Sequence, residues 1–320
     1  MNMKIVFLDV KTVGNVPNLH LFEQFGEVVY YPTTSPEQTV ERINGADIVI
    51  TNKVVLNEKA IEGASNLKLI CVSATGTNNV DKAAAFKRGI PIKNVSDYSS
   101  ASVAQGTFSL LLQLVNNIPY FDAYVKSGSY AQSDIFTHLE KSFWELNGKR
   151  FGIIGLGNIG RKVAKIAEAF GAEVVYYSAS GQSYLQPYER LNLEDLLGTS
   201  DVISIHAPLN EYTFNLITYD RLLKMKRSAI LINAGRGSIV NEADLARALD
   251  EGVIAGAGVD VFEKEPISLE NPLLHIKHKE RLAMTPHSIW ASIESRTALI
   301  EKVALNIQQL IAENKVLVKP

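Results

Sequence analysis

Almost at the middle of a 320-residue chain stands the run Phe151-Gly152-Ile153-Ile154-Gly155-Leu156-Gly157-Asn158-Ile159-Gly160. It reads as a buried strand, a glycine turn and the start of a helix, whose apolar face continues through Val163, Ile166, Ala167 and Phe170. Gly155 permits the tight turn, Gly157 lets backbone approach a pyrophosphate, and Gly160 lets helix and strand pack closely. The helix N-terminus offers unpaired N–H groups to the phosphates. The strand before the motif and the helix after it point to dinucleotide binding; an ordinary strand–turn–helix is the bland alternative. Because the motif is central, the residues before it must form something other than the start of the cofactor domain.

A chain of this length accommodates two domains of ordinary size. Its formal net charge is −2. No strongly basic face is implied, so neither nucleic acid nor an anionic membrane is an expected partner. No uninterrupted apolar run approaches the ~18–20 residues of a membrane span. The N-terminal stretch reads as a short strand closed by Asp9, without the apolar core and cleavage site of a signal peptide. Cys71 is the only cysteine, which excludes an intramolecular disulfide and a cysteine-cluster metal site. It lies in the strand-like Leu69-Ile70-Cys71-Val72, where a buried inert thiol is expected. A reducing cytoplasm is the expected compartment.

The first hundred residues alternate apolar runs with helical patterns. Strands are predicted at Ile5–Leu8, Val28–Tyr31, Ile48–Thr51, Leu69–Val72 and Ile92–Val95, with helix-like segments near 18–25, 36–44, 57–63 and 81–87. One long helix is predicted over Ser100–Lys126, and an aromatic arm or loop over 127–148. A second alternating set follows, with strands at Phe151–Ile154, Glu173–Tyr177, Val202–Ile205, Ala229–Ile232, Ala255–Val259 and Leu282–Met284. A last amphipathic helix runs over Ser292–Asn314. The alternation argues for α/β architecture with parallel sheets and helices on both faces.

Arg236, Glu265 and His287 each follow an apolar strand of the second set. Ligands of parallel sheets bind at the C-terminal strand ends, so the three are expected to converge on the rim where the cofactor sits. A carboxylate substrate wants a planar, permanent cation, which Arg236 supplies. Ketone reduction needs a proton for the developing alkoxide, and His287 is its natural donor. Glu265 on the other ring nitrogen would orient the imidazole and favour its charged form. Singly, each residue is more often a turn or surface residue; their shared strand-end placement favours function.

These motifs together resemble those of the D-isomer-specific 2-hydroxyacid dehydrogenases. The likeness spans essentially the whole chain: Gly155-Leu156-Gly157-Asn158-Ile159-Gly160, His206-Ala207-Pro208-Leu209 with Thr213, Asn233-Ala234-Gly235-Arg236-Gly237, Gly258-Val259-Asp260-Val261-Phe262 leading to Glu265, and Thr285-Pro286-His287. The resemblance implies Arg236, Glu265 and His287 as the catalytic set. It implies cofactor contacts from Gly155, Gly157, Asn158, Ile159, Gly160, Ser178, His206, Ala207, Pro208, Thr213, Ala234 and Asp260, with Val103 and Thr107 near the nicotinamide. It implies a Rossmann dinucleotide-binding domain (99–289, with a dimerisation arm near 120–148) inserted into a flavodoxin-like substrate domain (1–98 plus 290–320), and a homodimer. The loop Ala74–Asp81 matches the family's carboxylate-binding loop, so the N–H groups of Thr75, Gly76 and Thr77 would hold the substrate carboxylate opposite Arg236, as an anion nest does. Lys53 follows a strand of the same domain and is expected to face the cleft. Gln105-Gly106 departs from the family, where a Glu followed by a larger residue is common.

NAD enzymes of this fold usually carry an acid at the position of Ser178. Its absence removes repulsion against a 2′-phosphate, yet Ala179-Ser180-Gly181-Gln182-Ser183 offers no cation to attract one. NAD is the expected cofactor, with NADP open. Val72 stands where family members handling phosphohydroxypyruvate tend to carry arginine, which disfavours a phosphorylated substrate. Glu265 stands where formate dehydrogenases carry Gln. The tract after His287, with Trp290, is similar to hydroxypyruvate and glyoxylate reductases, where it often reads Ile-Ala-Trp-Ala. The expected substrate is therefore a small 2-oxo or D-2-hydroxy acid such as hydroxypyruvate or glyoxylate. A bulkier acid such as phenylpyruvate is the alternative. A dinucleotide-sensing protein like the C-terminal-binding-protein corepressors is the alternative of a different class.

Overall fold

The computed structural model describes residues 3–181 and 187–316, and the chain divides into two compact units, Met1–Ser99 with Ala291–Pro320 and Ser100–Trp290. In the first unit, β1 (Met3–Phe7), β2 (Gly26–Tyr30), β3 (Ile48–Thr51), β4 (Leu69–Val72) and β5 (Ile92–Lys93) form a parallel sheet of order β2-β1-β3-β4-β5. The helices α1 (Pro36–Ile43), α2 (Glu58–Gly63) and α3 (Lys82–Lys87) return the chain between strands. Side chains alternate across each strand. Val6, Val49, Ile70 and Val72 pack with Ile43, Ala60, Ile61, Ala84 and Ala85 of the helices. The opposite residues Ile5, Phe7, Ile48, Ile50, Leu69 and Cys71 are equally buried. Sheets covered on both faces give near-continuous apolar strand sequences, which is why these strands are readable. Burial pushes the Cys71 thiol up to about 12, so it is no nucleophile at neutral pH.

The second unit opens with α4 (Ser100–Val115) and α5 (Ile118–Lys126). The single helix predicted over Ser100–Lys126 is thus two. Asn117 takes a left-handed backbone (φ +50°) and Pro119 sits in the first turn of α5; proline has no N–H to continue the preceding ladder. Then come β6 (Arg150–Ile154), α6 (Asn158–Ala169), β7 (Glu173–Tyr177), β8 (Glu189–Arg190), α7 (Leu193–Thr199), β9 (Val202–Ile205), α8 (Tyr219–Leu222), β10 (Ile230–Asn233), α9 (Glu242–Glu251), β11 (Gly256–Val259) and β12 (Leu282–Met284). All strands are parallel, in the order β12-β11-β10-β9-β6-β7-β8. Two cores lie on its two faces. Ile154, Ile203, Ile205, Leu231 and Val259 pack with α7, α8 and α9, whereas Phe151, Ile153, Tyr176, Val202 and Ile232 pack with α4 and α6. Each fully buried aliphatic or Phe side chain contributes about 1.5–3 kcal/mol. The last helix, α10 (Ile293–Val316), packs on β4 and on the 3-10 turn Leu19–Phe25 of the first unit. Among the described residues, no helix is long and apolar enough to cross a membrane.

Candidate active site

The register of the second sheet fixes where functional groups emerge. Met284, Val259, Asn233, Ile205, Ile154 and Tyr177 are successive partners across six strands. The next residue of each strand is Thr285, Asp260, Ala234, His206, Gly155 and Ser178. Five of these six are residues expected at the cofactor. They form one rim, at the C-terminal edge where parallel sheets bind ligands.

The glycine turn fits a dinucleotide pyrophosphate. Gly155 has φ +93°, and a Cβ there would lie 2.7 Å from the Ala207 nitrogen. A Cβ on Gly160 would overlap the Gly155 carbonyl, so the third glycine brings α6 onto the turn. Gly157 faces open space. No side chain caps α6, so among the described residues its first N–H groups, at Asn158, Ile159 and Gly160, have no acceptor. The helix N-terminus therefore favours an anion. Arg161 caps nothing there; it donates to the Leu156 carbonyl at 3.2 Å and to Asn158 Oδ1 at 2.9 Å. Ser178 is half-buried at the end of β7, with its hydroxyl 3.3 Å from that of Ser180. Gln182 and Ser183 lie outside the described residues.

His206 Nε2 and the Ser204 hydroxyl share a hydrogen bond of 2.8 Å. Its Nδ1 is buried and has no partner among the described residues. Burial pushes the imidazole down to about 3, so the ring is neutral at any working pH. Ala207 is buried, Pro208 exposed and Ala234 half-buried. The buried Thr213 hydroxyl donates to the Pro208 carbonyl at 2.6 Å and closes that loop on itself. Val103 and Thr107, expected beside the nicotinamide, lie on the buried face of α4, and the Thr107 hydroxyl donates to the Val103 carbonyl at 2.8 Å.

His287 and Glu265 meet directly, Nδ1 to Oε2 at 2.7 Å. The other Glu265 oxygen accepts the Phe262 N–H at 3.0 Å. His287 has a left-handed backbone, φ +53°, which costs an L-residue about 1–2 kcal/mol. Asp260 holds it there: its carbonyl accepts the His287 N–H at 2.8 Å, and its Oδ1 accepts the Thr285 hydroxyl at 2.6 Å and the Ser288 N–H at 2.9 Å. Burial pushes the Asp260 carboxyl up, against the pull of those donors and of His287. Arg236 is exposed after β10, with Nη1 on the Gly235 carbonyl at 2.7 Å. A Cβ on Gly237 would overlap the Phe262 backbone, so the Arg236 turn lies against the turn that presents Glu265.

Sequence reasoning missed two buried polar residues. Asn233 donates to the Arg236 carbonyl at 3.0 Å and accepts the Gly235 N–H at 3.2 Å, shaping the arginine turn. In the first unit, the Asp9 carboxylate accepts N–H groups of Asn52 (2.9 Å), Lys53 (2.6 Å) and Val54 (3.2 Å). A polar residue at the end of an apolar strand is the signal available in both cases. Lys53 is exposed on the turn so held. On the loop after β4, the Thr75 hydroxyl donates to the Val95 carbonyl at 3.2 Å. The N–H groups of Thr75, Gly76 and Thr77 have no acceptor among the described residues.

Residues 108–288 match the family model described as the D-isomer specific 2-hydroxyacid dehydrogenase, NAD binding domain. The chain is 38% identical over 313 residues to a glycerate dehydrogenase of Methylorubrum extorquens, covering 98% of this chain and 97% of that one. It is 36% identical over 316 residues to a hydroxypyruvate reductase of Blautia hydrogenotrophica, covering 97% of both. Among solved structures, it is similar to an NADPH-dependent glyoxylate/hydroxypyruvate reductase of Sinorhizobium meliloti in complex with NADP and malonate. There the TM-score is 0.79 and the identity 26%, over 96% of this chain and 93% of that one.

Proposed function

The chain belongs to the D-isomer-specific 2-hydroxyacid dehydrogenase family, and from that premise we propose that it reduces a small 2-oxo acid, hydroxypyruvate or glyoxylate, to the D-2-hydroxy acid with NAD(P)H. The His287–Glu265 pair, on the same sheet rim as the glycine turn, carries this reading. The names and cofactors of the relatives support the substrate class and the use of NAD or NADP.

Gly155, Gly157 and the first N–H groups of α6 would hold the pyrophosphate, and Ser178 the adenosine ribose. The bound dinucleotide supplies the hydride. His287 gives the proton. Its Nδ1 faces Glu265, which leaves Nε2 to hand a proton to the substrate carbonyl oxygen and to recover one in the reverse reaction. Glu265 balances the charge of the imidazolium and holds the ring in one orientation. Arg236 supplies a planar cation for the carboxylate of the 2-oxo acid. In the first unit, the N–H groups of Thr75, Gly76 and Thr77 suit a carboxylate, and Lys53 adds positive charge. We assign the substrate role to that unit and the cofactor role to the other.

The segment near 120–148 exposes Ile135, Phe136, Leu139 and Phe143, which supports the reading of a dimerisation arm. A cytoplasmic home accords with the single, buried cysteine. One experiment tests the activity: hydroxypyruvate, glyoxylate, pyruvate, phenylpyruvate and phosphohydroxypyruvate, each assayed with NADH and with NADPH. Fast oxidation with the first two supports the proposal. A preference for phenylpyruvate, or cofactor binding with no substrate-dependent oxidation, overturns it. Light scattering of the purified protein tests the dimer.

A further inference from the structure

We infer that Ser102 and Gly106 of α4 form a seat for Ile289 that fixes the position of His287, and that both are positioning residues for proton transfer. The inference rests on the reading of His287 as the proton donor. Ser102 and Gly106 are four residues apart and so share one face of the helix. The Ser102 hydroxyl donates to the Ile289 carbonyl at 2.6 Å. The bare backbone of Gly106 receives the Ile289 side chain. A Cβ at 106 would lie 2.7 Å from Ile289 Cγ2 and nearer still to Ile289 Cβ. That overlap involves the atom nearest the backbone of a β-branched residue, so a rotamer change does not relieve it.

On the other side of the turn, Asp260 Oδ1 accepts the N–H groups of Ser288 at 2.9 Å and Ile289 at 3.3 Å. Ile289 is thus held at its amide, its carbonyl and its side chain, two residues after His287. The left-handed backbone of His287 (φ +53°) persists only where the surroundings over-determine it, and this seat is one of the restraints. It also gives Gly106 a cause. Glycine is a poor choice for a helix interior, and here a side chain would displace the segment that bears the imidazole. The support is firm, because Phe108, Leu110 and Leu111 of the same helix are buried in the core that α4 shares with β10 and β12.

The test uses the full chain and hydroxypyruvate with its preferred reduced cofactor. Gly106→Ala should lower kcat by roughly 10- to 100-fold, the scale on which small displacements act. Cofactor affinity, from fluorescence titration, should stay within about twofold, since the added Cβ meets the Ile289 side chain. Adding Ile289→Gly to that variant removes the overlapping atom at the loss of one restraint, and should restore part of the lost kcat. Ser102→Ala should lower kcat without overlap, and it decides the matter alone if Gly106→Ala does not fold. Parental kcat in both Gly106→Ala and Ser102→Ala, beside an inactive His287→Ala, overturns the seat alone. So does a loss of kcat that Ile289→Gly leaves unrepaired. Parental turnover in His287→Ala instead overturns the reading of the proton donor.

Discussion

Oε2 of Glu265 lies 2.7 Å from Nδ1 of His287, while Oε1 of the same carboxylate accepts the N–H of Phe262 at 3.0 Å. One oxygen faces the imidazole and the other faces the turn that carries it, so the carboxylate cannot rotate without breaking a bond. His287→Ala should lower kcat by about 10²–10⁴-fold, the usual contribution of a positioned acid. Glu265→Gln keeps the shape and removes the charge, and should cost less than that but at least about tenfold. Cofactor affinity should be unchanged in both. Steady-state kinetics with a parallel cofactor titration checks the split.

Two glycines of the turn should fail differently. Gly157→Ala meets nothing within 4 Å, so the protein should fold with its melting temperature intact and lose dinucleotide affinity. Gly160→Ala drives a methyl group into the Gly155 carbonyl and should destabilise the fold by about 1–3 kcal/mol, as overpacking does. Thermal melts and cofactor titrations on both variants separate the two effects.

Arg236→Lys keeps the charge and loses the fork that matches a carboxylate. Charge-assisted hydrogen bonds contribute about 1.5–3 kcal/mol each, so kcat/KM for the 2-oxo acid should fall roughly 10- to 100-fold. A substrate titration at saturating cofactor measures it. Unchanged kcat/KM would take the carboxylate contact away from Arg236.

His206 makes stability depend on pH. Burial holds its folded-state value at about 3, below the ordinary 6.5. The unfolded chain therefore takes up a proton first as the pH drops. This contribution to stability is complete above pH 6.5 and is lost as the pH falls towards 3, at up to about 1.4 kcal/mol per pH unit. Denaturant melts between pH 7 and 4 should show that slope, and His206→Asn should flatten it.

Much of this fold was legible because most of its central strands are buried on both faces. Ile48–Thr51, Leu69–Val72, Glu173–Tyr177, Val202–Ile205 and Leu282–Met284 are found as predicted. The polar, two-residue β8 at the sheet edge has no apolar period to betray it. The break at Asn117 falls in Asn116-Asn117-Ile118-Pro119, where the proline is a helix-start signal that the apolar stripe of the Ser100–Lys126 segment overrode. At the rim, Arg236, Glu265 and His287 were readable as ionisable groups after apolar strands. The Ile289 seat was not, because Ser102 and Ile289 are 187 residues apart, and no local pattern reports a contact across that separation. Asn233 and Asp9 escaped for a related reason: their side chains act on the backbone of neighbouring turns, and sequence does not show which N–H groups lack a partner.

The row from Met284 to Tyr177 divides the second sheet into two kinds of territory. Below it, most residues answer to their neighbours in the core, and a single inserted residue within one strand would turn that strand inside out and carry its terminal group out of line. Above it, loops tolerate change more readily, apart from the core residues they carry, such as Leu216, Phe262 and Ile276. New chemistry in such a chain is therefore most easily gained one residue past the last rung.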